Sequence, residues 1–139
     1  DNYNYQTSHV LPALIRKFHD AKVSQNDEVT CWGSGTPLRE FLYSDDLARA
    51  LVFLMRNYSE EQFINVGSGS EITIRDLAEL VSEIIGYNGS IVWDTSKPNG
   101  TPRKLMNSDR LFALGWRPAV NLREGIGLAY DDFLSKYKK

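Results

Sequence analysis

The alternation of apolar and polar positions along the chain predicts about five helices joined by short strands and turns. Apolar residues recur at helical spacing after Ser8 and again after Asn121, near the end of the chain. Between these two segments, three further stretches of helical periodicity begin at Ser44, Thr73 and Ser108. Helices that alternate with strands indicate the α/β class.

Side chains at the predicted helix boundaries support these segments. Ser8 is suited to an N-cap position, and Pro12 falls in the first turn, where its missing N–H is tolerated. Thr73 and Asp76 have the spacing of a capping box, in which side chains and backbone of the first turn satisfy one another's hydrogen bonds. Gly86 is a natural residue for ending the helix that Thr73 begins.

Short apolar runs predict the strands, which we place at residues 28–32, 40–43, 63–66 and 91–93. The turn-rich stretch 33–37 separates the first two, and residues 95–102 are predicted to form a loop. The helix that begins at Ser44 carries an apolar stripe, made of Leu47, Leu51, Leu54 and Met55.

The length and composition are those of one domain that spans residues 1–139. Hydrophobic residues make up 42% of the chain and charged residues 24%, which excludes a disordered, collagen-like or coiled-coil protein. The longest apolar stretch, 47–55, is interrupted by Arg49 and is too short to span a bilayer. We therefore expect a soluble protein that does not act at a membrane.

Charge and cysteine content exclude further classes. The 16 basic and 18 acidic residues leave a net charge of −2, so there is no overall positive field to attract nucleic acid. Cys31 is the only cysteine of the sequence, which excludes an internal disulfide and a cysteine-rich zinc site. A single cysteine fits a reducing compartment, and we expect the protein to be cytoplasmic.

Two Gly-x-Gly turns, at 33–35 and 67–69, resemble phosphate-binding loops, but both lack the third glycine of the dinucleotide fingerprint. Tight turns explain them better. His9 and His19 have no cysteine or acidic partner at a recognised metal-binding spacing, so no metal site is predicted. His9 lies at a predicted helix N-terminus, where it is either a structural residue or an acid that acts near neutral pH.

Basic residues concentrate in three places: at Arg16 and Lys17, at Arg39, and from Lys97 to Lys104. If the fold brings them together, arginine can hold a phosphate with two hydrogen bonds and lysine can supply a point charge. The alternative is that they are ordinary solvated surface charges. Trp32 either lies against a base or sugar, or fills the core.

Three strings of the sequence resemble the GDP-L-fucose synthase family of extended short-chain dehydrogenases/reductases. They are SHVLPALIRKFH at 8–19, WGSGTPLREFLYSDDLA at 32–48 and SKPNGTPRKL at 96–105. Two more, NVGSG at 65–69 and LGWRP at 114–118, are shared more broadly in the superfamily. The similarity covers essentially the whole chain, in order.

This resemblance implies the small C-terminal substrate-binding domain of an NADPH-dependent enzyme. The family converts GDP-4-keto-6-deoxy-D-mannose to GDP-L-fucose by epimerising C3 and C5 and reducing the C4 ketone. Its NADP(H) rests mainly on an N-terminal Rossmann domain, which also supplies a Tyr-x-x-x-Lys motif and forms most of the homodimer. This sequence contains no such motif. The resemblance thus implies that the chain alone does not catalyse reduction.

Six residues match functional positions of the family. The resemblance implies that His9 lies near the cofactor and acts as the acid in epimerisation, which requires proton delivery after an enolate forms. It implies contacts to the GDP-sugar from Lys17, Trp32, Arg39, Asn99 and Lys104. Lys17 stands where arginine is usual and Asn99 where aspartate is usual, so phosphate contact at Lys17 loses the arginine fork.

Two alternatives remain open from the sequence. One is a related nucleotide-sugar epimerase or dehydratase, whose C-terminal part has the same scaffold. The other is a non-catalytic module that binds a nucleotide sugar or a protein.

Overall fold

The computed structural model describes residues 2–5 and 7–137, in which it shows five helices and five short strands. The α/β class and the five predicted helices are confirmed. In chain order the elements are α1 (Val10–Val23), β1 (Glu28–Trp32), β2 (Leu38–Glu40), α2 (Ser44–Asn57), β3 (Glu71–Thr73), α3 (Ile74–Ile85), β4 (Ser90–Asp94), β5 (Arg103–Lys104), α4 (Asp109–Ala113) and α5 (Leu122–Lys136).

The strands of the described chain form two small sheets. β1 and β4 run parallel, with Cys31 opposite Trp93 and Trp32 opposite Asp94. In the second sheet β2 lies in the middle, antiparallel to β3 and parallel to β5. The second sheet places Arg39 beside Lys104.

The larger core lies among α1, α3, α5 and β1. It is built on side chains that are almost completely buried, such as Phe18, Leu77, Ile126 and Phe133. Burying a side chain of this size contributes roughly 1.5–3 kcal/mol, so these contacts dominate the stability of the fold. A second cluster around Leu111 joins α2 to α4.

Hydrogen bonds at the helix ends confirm most of the boundary predictions. The Thr73 hydroxyl accepts a hydrogen bond from the Asp76 N–H at 3.0 Å, and Gly86 ends α3 in the left-handed conformation with φ 73°. Ser8, in contrast, is not the N-cap of α1. Its hydroxyl donates to the Asn4 carbonyl, and His9 precedes the first helical residue instead.

The strand predictions were less accurate. Residues 63–66 form no strand and Phe63 is 84% exposed, so that prediction was wrong. The strand expected at 40–43 lies at Leu38–Glu40, and β3 and β5 were not predicted at all. Both missed strands are only two or three residues long and partly polar, so they leave no periodic signal.

The inner face of α2 is anchored by a buried carboxylate. Asp46 is 1% exposed, and its Oδ2 accepts hydrogen bonds from the backbone N–H groups of Ala119 and Val120 at 3.1 and 2.8 Å. Most of the apolar stripe of the same helix is exposed, whereas Leu54 packs against the cluster around Leu111. Leu51 is 52% exposed and Met55 is 85% exposed.

None of the helices within residues 2–5 and 7–137 is both long and apolar enough to cross a membrane.

Candidate functional site

Trp32 presents an exposed indole ring at the end of β1. The side chain is 67% exposed, although its neighbour Cys31 is buried in the core. Two ammonium groups lie over the ring, Lys17 Nζ at 5.8 Å and Lys97 Nζ at 5.7 Å from its centroid. Lys17 is held there by a 3.0 Å hydrogen bond that it donates to the Thr30 carbonyl. A large exposed aromatic ring between cations is a surface suited to an anionic ligand with a flat or apolar part.

A second pair of cations lies on the neighbouring sheet. Arg39 on β2 stands opposite Lys104 on β5, and the Arg39 Nη1 donates to the Leu38 carbonyl at 2.7 Å. Arg103, the residue before Lys104, does not join them, because it forms an ion pair with Glu71 on β3. The sheet therefore carries two neighbouring cations, Arg39 and Lys104, on adjacent strands. The Glu71 ion pair holds Arg103 apart from them.

Asn99 connects the two parts of this site. Its Oδ1 accepts hydrogen bonds from the Ser34 N–H at 2.7 Å and the Ser34 hydroxyl at 3.0 Å. Gly33 makes this approach possible, since a Cβ there would lie 2.5 Å from Asn99 Oδ1. The contact ties the turn after Trp32 to the loop that carries Lys97 and leads into β5.

The predicted basic residues are thus partly brought together. Lys17 and Lys97 meet at Trp32, and Arg39 meets Lys104; we call these four residues the cationic cluster. Arg16 is excluded, because its guanidinium lies over the Tyr5 ring and donates to the Tyr3 carbonyl.

Two carboxylates position the loops of the site and were not singled out from the sequence. Glu40, beside Arg39, accepts hydrogen bonds from the Gly69 N–H at 2.7 Å and the Met106 N–H at 3.1 Å. Asp94 accepts from the Ser96 N–H and hydroxyl, and these bonds, with help from Lys97, lower the pKa of its carboxyl. The partners of Glu40 are backbone groups far away in the sequence, and those of Asp94 belong to a local turn. No sequence motif therefore identifies either carboxylate.

His9 stands apart from the cationic cluster, at the first turn of α1. Its side chain is exposed and its carbonyl accepts the Ala13 N–H at 3.0 Å. Lys17 lies eight residues later, about 12 Å along the helix axis. His9 is thus the N-cap of α1, and Lys17 lies near the middle of the helix.

The remaining candidate groups are structural. His19 Nδ1 lies 2.9 Å from the Tyr130 hydroxyl, and its ring packs edge-on against Phe133. Burial raises the pKa of the Cys31 thiol, which leaves it a poor nucleophile. Among residues 2–5 and 7–137, no three His, Cys, Asp or Glu side chains are grouped so that they could hold a metal ion.

Neither Gly-x-Gly turn forms a dinucleotide-binding loop. The two Gly-x-Gly turns lead into β2 and β3 rather than into a helix N-terminus. Their open sides are also filled: a Cβ at Gly35 would meet the Trp93 ring, one at Gly67 the Glu40 carboxylate, and one at Gly69 the Phe112 ring. The glycines are needed for side-chain packing and leave no cradle for phosphates.

Comparisons with known proteins confirm the resemblance drawn from the sequence. Residues 2–67 match the model of the NAD dependent epimerase/dehydratase family. A putative GDP-L-fucose synthase from Arabidopsis thaliana is 58% identical over 96% of this chain, and a GDP-L-fucose synthase from Sinorhizobium fredii is 53% identical over 97%. The solved structure of a GDP-L-fucose synthetase from Naegleria fowleri bound to NADP covers all of this chain with a TM-score of 0.92 and 32% identity.

The chain spans 41% to 44% of the length of these three proteins.

Proposed function

We propose that residues 1–139 are the GDP-sugar-binding part of an enzyme that converts GDP-4-keto-6-deoxy-D-mannose to GDP-L-fucose. The reaction epimerises C3 and C5 and reduces the C4 ketone with NADPH. The observation that carries the proposal is the cationic cluster beside the exposed Trp32 ring. The names of the similar proteins support the choice of substrate.

The cationic cluster suits the diphosphate of a GDP-sugar. Arg39 can offer a planar fork of donors to one phosphate, and Lys104 a point charge beside it on the next strand. Lys17 and Lys97 extend the positive surface to Trp32, whose face can pack against the base or the sugar. Asn99 acts mainly by joining the two halves, because its carbonyl oxygen is already engaged by Ser34.

His9 is proposed as the acid of the epimerisation. Abstraction of a proton next to the C4 ketone leaves an enolate, and a new proton must then reach the opposite face of the sugar. An exposed imidazole at the start of α1 can deliver that proton if the sugar extends from the cationic cluster towards the helix N-terminus. The same position would bring His9 close to the nicotinamide.

NADP(H) is proposed to bind mainly to a part of the full-length protein outside this chain, since neither glycine turn can cradle its phosphates. That part would also supply the groups that deliver hydride and most of the homodimer interface. The full-length enzyme is proposed to act in the cytoplasm.

Calorimetry of the full-length protein with GDP-L-fucose tests the proposal. Arg39→Ala should weaken binding about tenfold to hundredfold, the loss expected for a charge-assisted phosphate contact. Arg123→Ala is the matched control, because Arg123 is an exposed arginine that pairs with Glu83 elsewhere on the surface. Unchanged affinity in Arg39→Ala would contradict the assigned site.

Two further measurements separate the alternatives. Tighter binding of a UDP-sugar than of a GDP-sugar would favour a related epimerase or dehydratase. Binding of GDP-L-fucose without turnover of the 4-keto substrate and NADPH would favour a binding module.

A further inference from the structure

The chain contains two Asn-Gly pairs, Asn88–Gly89 and Asn99–Gly100, and the structure places them in opposite electrostatic surroundings. In such a pair the backbone nitrogen of glycine can attack the side-chain amide of asparagine, because glycine has no side chain to obstruct the approach. The reaction is faster when the attacking nitrogen loses its proton easily and when the amide oxygen is stabilised as it gains negative charge.

Asn99 meets both conditions. Asn99 and Gly100 are exposed, and the Asn99 amide oxygen already receives two hydrogen bonds from Ser34, at 2.7 and 3.0 Å. The Arg39 guanidinium lies next to Gly100, with Nη2 3.7 Å from the position that a Cβ would occupy. Lys97 and Lys104 lie within the same segment of chain.

We propose that Asn99 is a site of spontaneous deamidation. The Gly100 nitrogen, after giving its proton to hydroxide, attacks Cγ of Asn99, and a C–N bond forms while the negative charge moves to Oδ1. The Cγ–Nδ2 bond then breaks and ammonia leaves, taking the proton it needs from water. Water finally opens the resulting succinimide ring, and the released ammonia takes up the proton of the new carboxyl group. The net change is asparagine plus water to aspartate or isoaspartate plus ammonium.

The Ser34 donors and the Arg39 charge act on different steps. The two Ser34 hydrogen bonds stabilise the oxyanion of the tetrahedral intermediate, as preorganised donors do in enzymes that attack carbonyl groups. The guanidinium favours the deprotonated form of the Gly100 amide by its positive charge.

Asn88 provides a natural control within the same chain. Gly89 is crowded, since a Cβ there would lie 2.6 Å from the Asp27 carbonyl oxygen and even closer to the Tyr87 hydroxyl. The carboxylates of Asp27 and Glu28 add to burial in raising the pKa of Tyr87, and the nearby Lys22 ammonium is engaged by the Ile85 carbonyl at 2.6 Å. Negative charge opposes deprotonation of the Gly89 amide, so the same dipeptide should react more slowly here.

Deamidation would also change the binding site, a consequence that rests on the proposed function. Conversion to aspartate would give the residue that is usual at this position in the family, whereas isoaspartate would lengthen the main chain of the loop that joins the two halves of the cationic cluster.

The test is to incubate the full-length protein under native conditions at mildly alkaline pH and follow both sites by mass spectrometry. Cleavage before Asp76, Asp94 and Asp109 gives peptides 76–93 and 94–108, which separate the two Asn-Gly pairs. Asn99 should convert about tenfold faster than Asn88, a difference of about 1.4 kcal/mol in activation free energy. In urea, where the fold is lost, the two rates should converge.

Ser34→Ala removes the hydroxyl donor and keeps the N–H, so it should slow conversion at Asn99 several-fold and leave Asn88 unchanged. High salt should narrow the difference between the sites, because it screens Arg39. A native rate at Asn99 equal to or below its rate in urea would overturn the proposal, since the Ser34 contacts would then be protective. These readouts need no ligand, so they stand or fall independently of GDP-L-fucose binding, which is measured on unmodified protein.

Discussion

Arg39 and Lys104 face each other across the parallel pair β2–β5, so two positive charges occupy neighbouring positions on adjacent strands. Like charges at this spacing repel each other. Glu71, on the other side of β2, does not relieve the repulsion, because it is paired with Arg103. An anion-binding site requires such an arrangement, which is unfavourable without a counterion. Loss of either charge should therefore weaken anion binding without a matching loss of stability.

Lys104→Ala should therefore weaken binding of GDP-L-fucose about tenfold while changing the free energy of unfolding by less than about 0.5 kcal/mol. Calorimetry and urea denaturation of the same full-length samples measure the two effects. If Arg39 and Lys104 hold the same diphosphate, their effects on affinity are coupled. The fold loss of affinity in the Arg39→Ala, Lys104→Ala double variant should then be smaller than the product of the two single losses. A stability loss that parallels the affinity loss would indicate that Lys104 is structural.

The helix ends that could be predicted from the sequence are those fixed by interactions within a few neighbouring residues. Thr73, Gly86 and Asn121 mark helix ends through hydrogen bonds or backbone angles confined to a few residues, and the structure confirms all three. The apolar run at 63–66 has the pattern of a strand, but strand formation depends on a partner elsewhere in the chain, and no described strand pairs with it. Pairing of β5 with β2 is equally non-local, and it produces the Arg39–Lys104 relationship.

The candidate site also divides into residues that the sequence identifies and residues whose contacts are distant in the sequence. The resemblance singled out Lys17, Trp32 and Asn99, and the structure supplies the reason that they belong together. Glu40 was missed because its partners, Gly69 and Met106, lie 29 and 66 residues away in the sequence.

The Glu71–Arg103 ion pair predicts a loss of stability in acid. Hydrogen bonding from Arg103 holds the pKa of the Glu71 carboxyl below its usual value. Because the folded pKa lies below the unfolded one, the pair stabilises the fold above about pH 4.5, and this contribution disappears as the pH falls towards the folded pKa. Urea midpoints between about pH 3 and pH 7 should fall more steeply in the wild type than in Glu71→Gln.

Glu83→Gln is the matched control, since Glu83 is also paired with an arginine and its pKa is also lowered. Both variants should flatten the acid dependence of stability. Only Glu71→Gln should weaken GDP-L-fucose binding at neutral pH. The Glu71–Arg103 ion pair helps to hold β5 in place, and β5 carries Lys104. Equal affinity in the two variants would contradict a positioning role for the Glu71–Arg103 pair.

His9→Asn should separate the two half-reactions of the proposed enzyme. Asparagine is a favourable residue at the N-cap position that His9 occupies, so α1 should be preserved. The rate of epimerisation of the 4-keto substrate, measured as incorporation of deuterium from the solvent, should fall by about a hundredfold or more. The rate of reduction of an already epimerised 4-keto sugar should change much less. If both rates fall equally, His9 is not the acid.

The exposed stripe of α2 predicts self-association of the isolated 139-residue chain. Leu51 and Met55 lie on the same helix face, one turn apart, and both side chains are exposed. Grouped apolar side chains in water favour contact between molecules, whereas scattered ones do not. Sedimentation velocity over a range of concentrations should therefore show larger species in the wild type than in the Leu51→Gln, Met55→Gln double variant.

The double variant should keep its free energy of unfolding within about 1 kcal/mol of the wild type, since neither side chain is buried. Val23→Gln is the control, because Val23 is 66% exposed at the end of α1. It should leave the sedimentation profile unchanged. If the α2 double variant associates as strongly as the wild type, the association surface lies elsewhere.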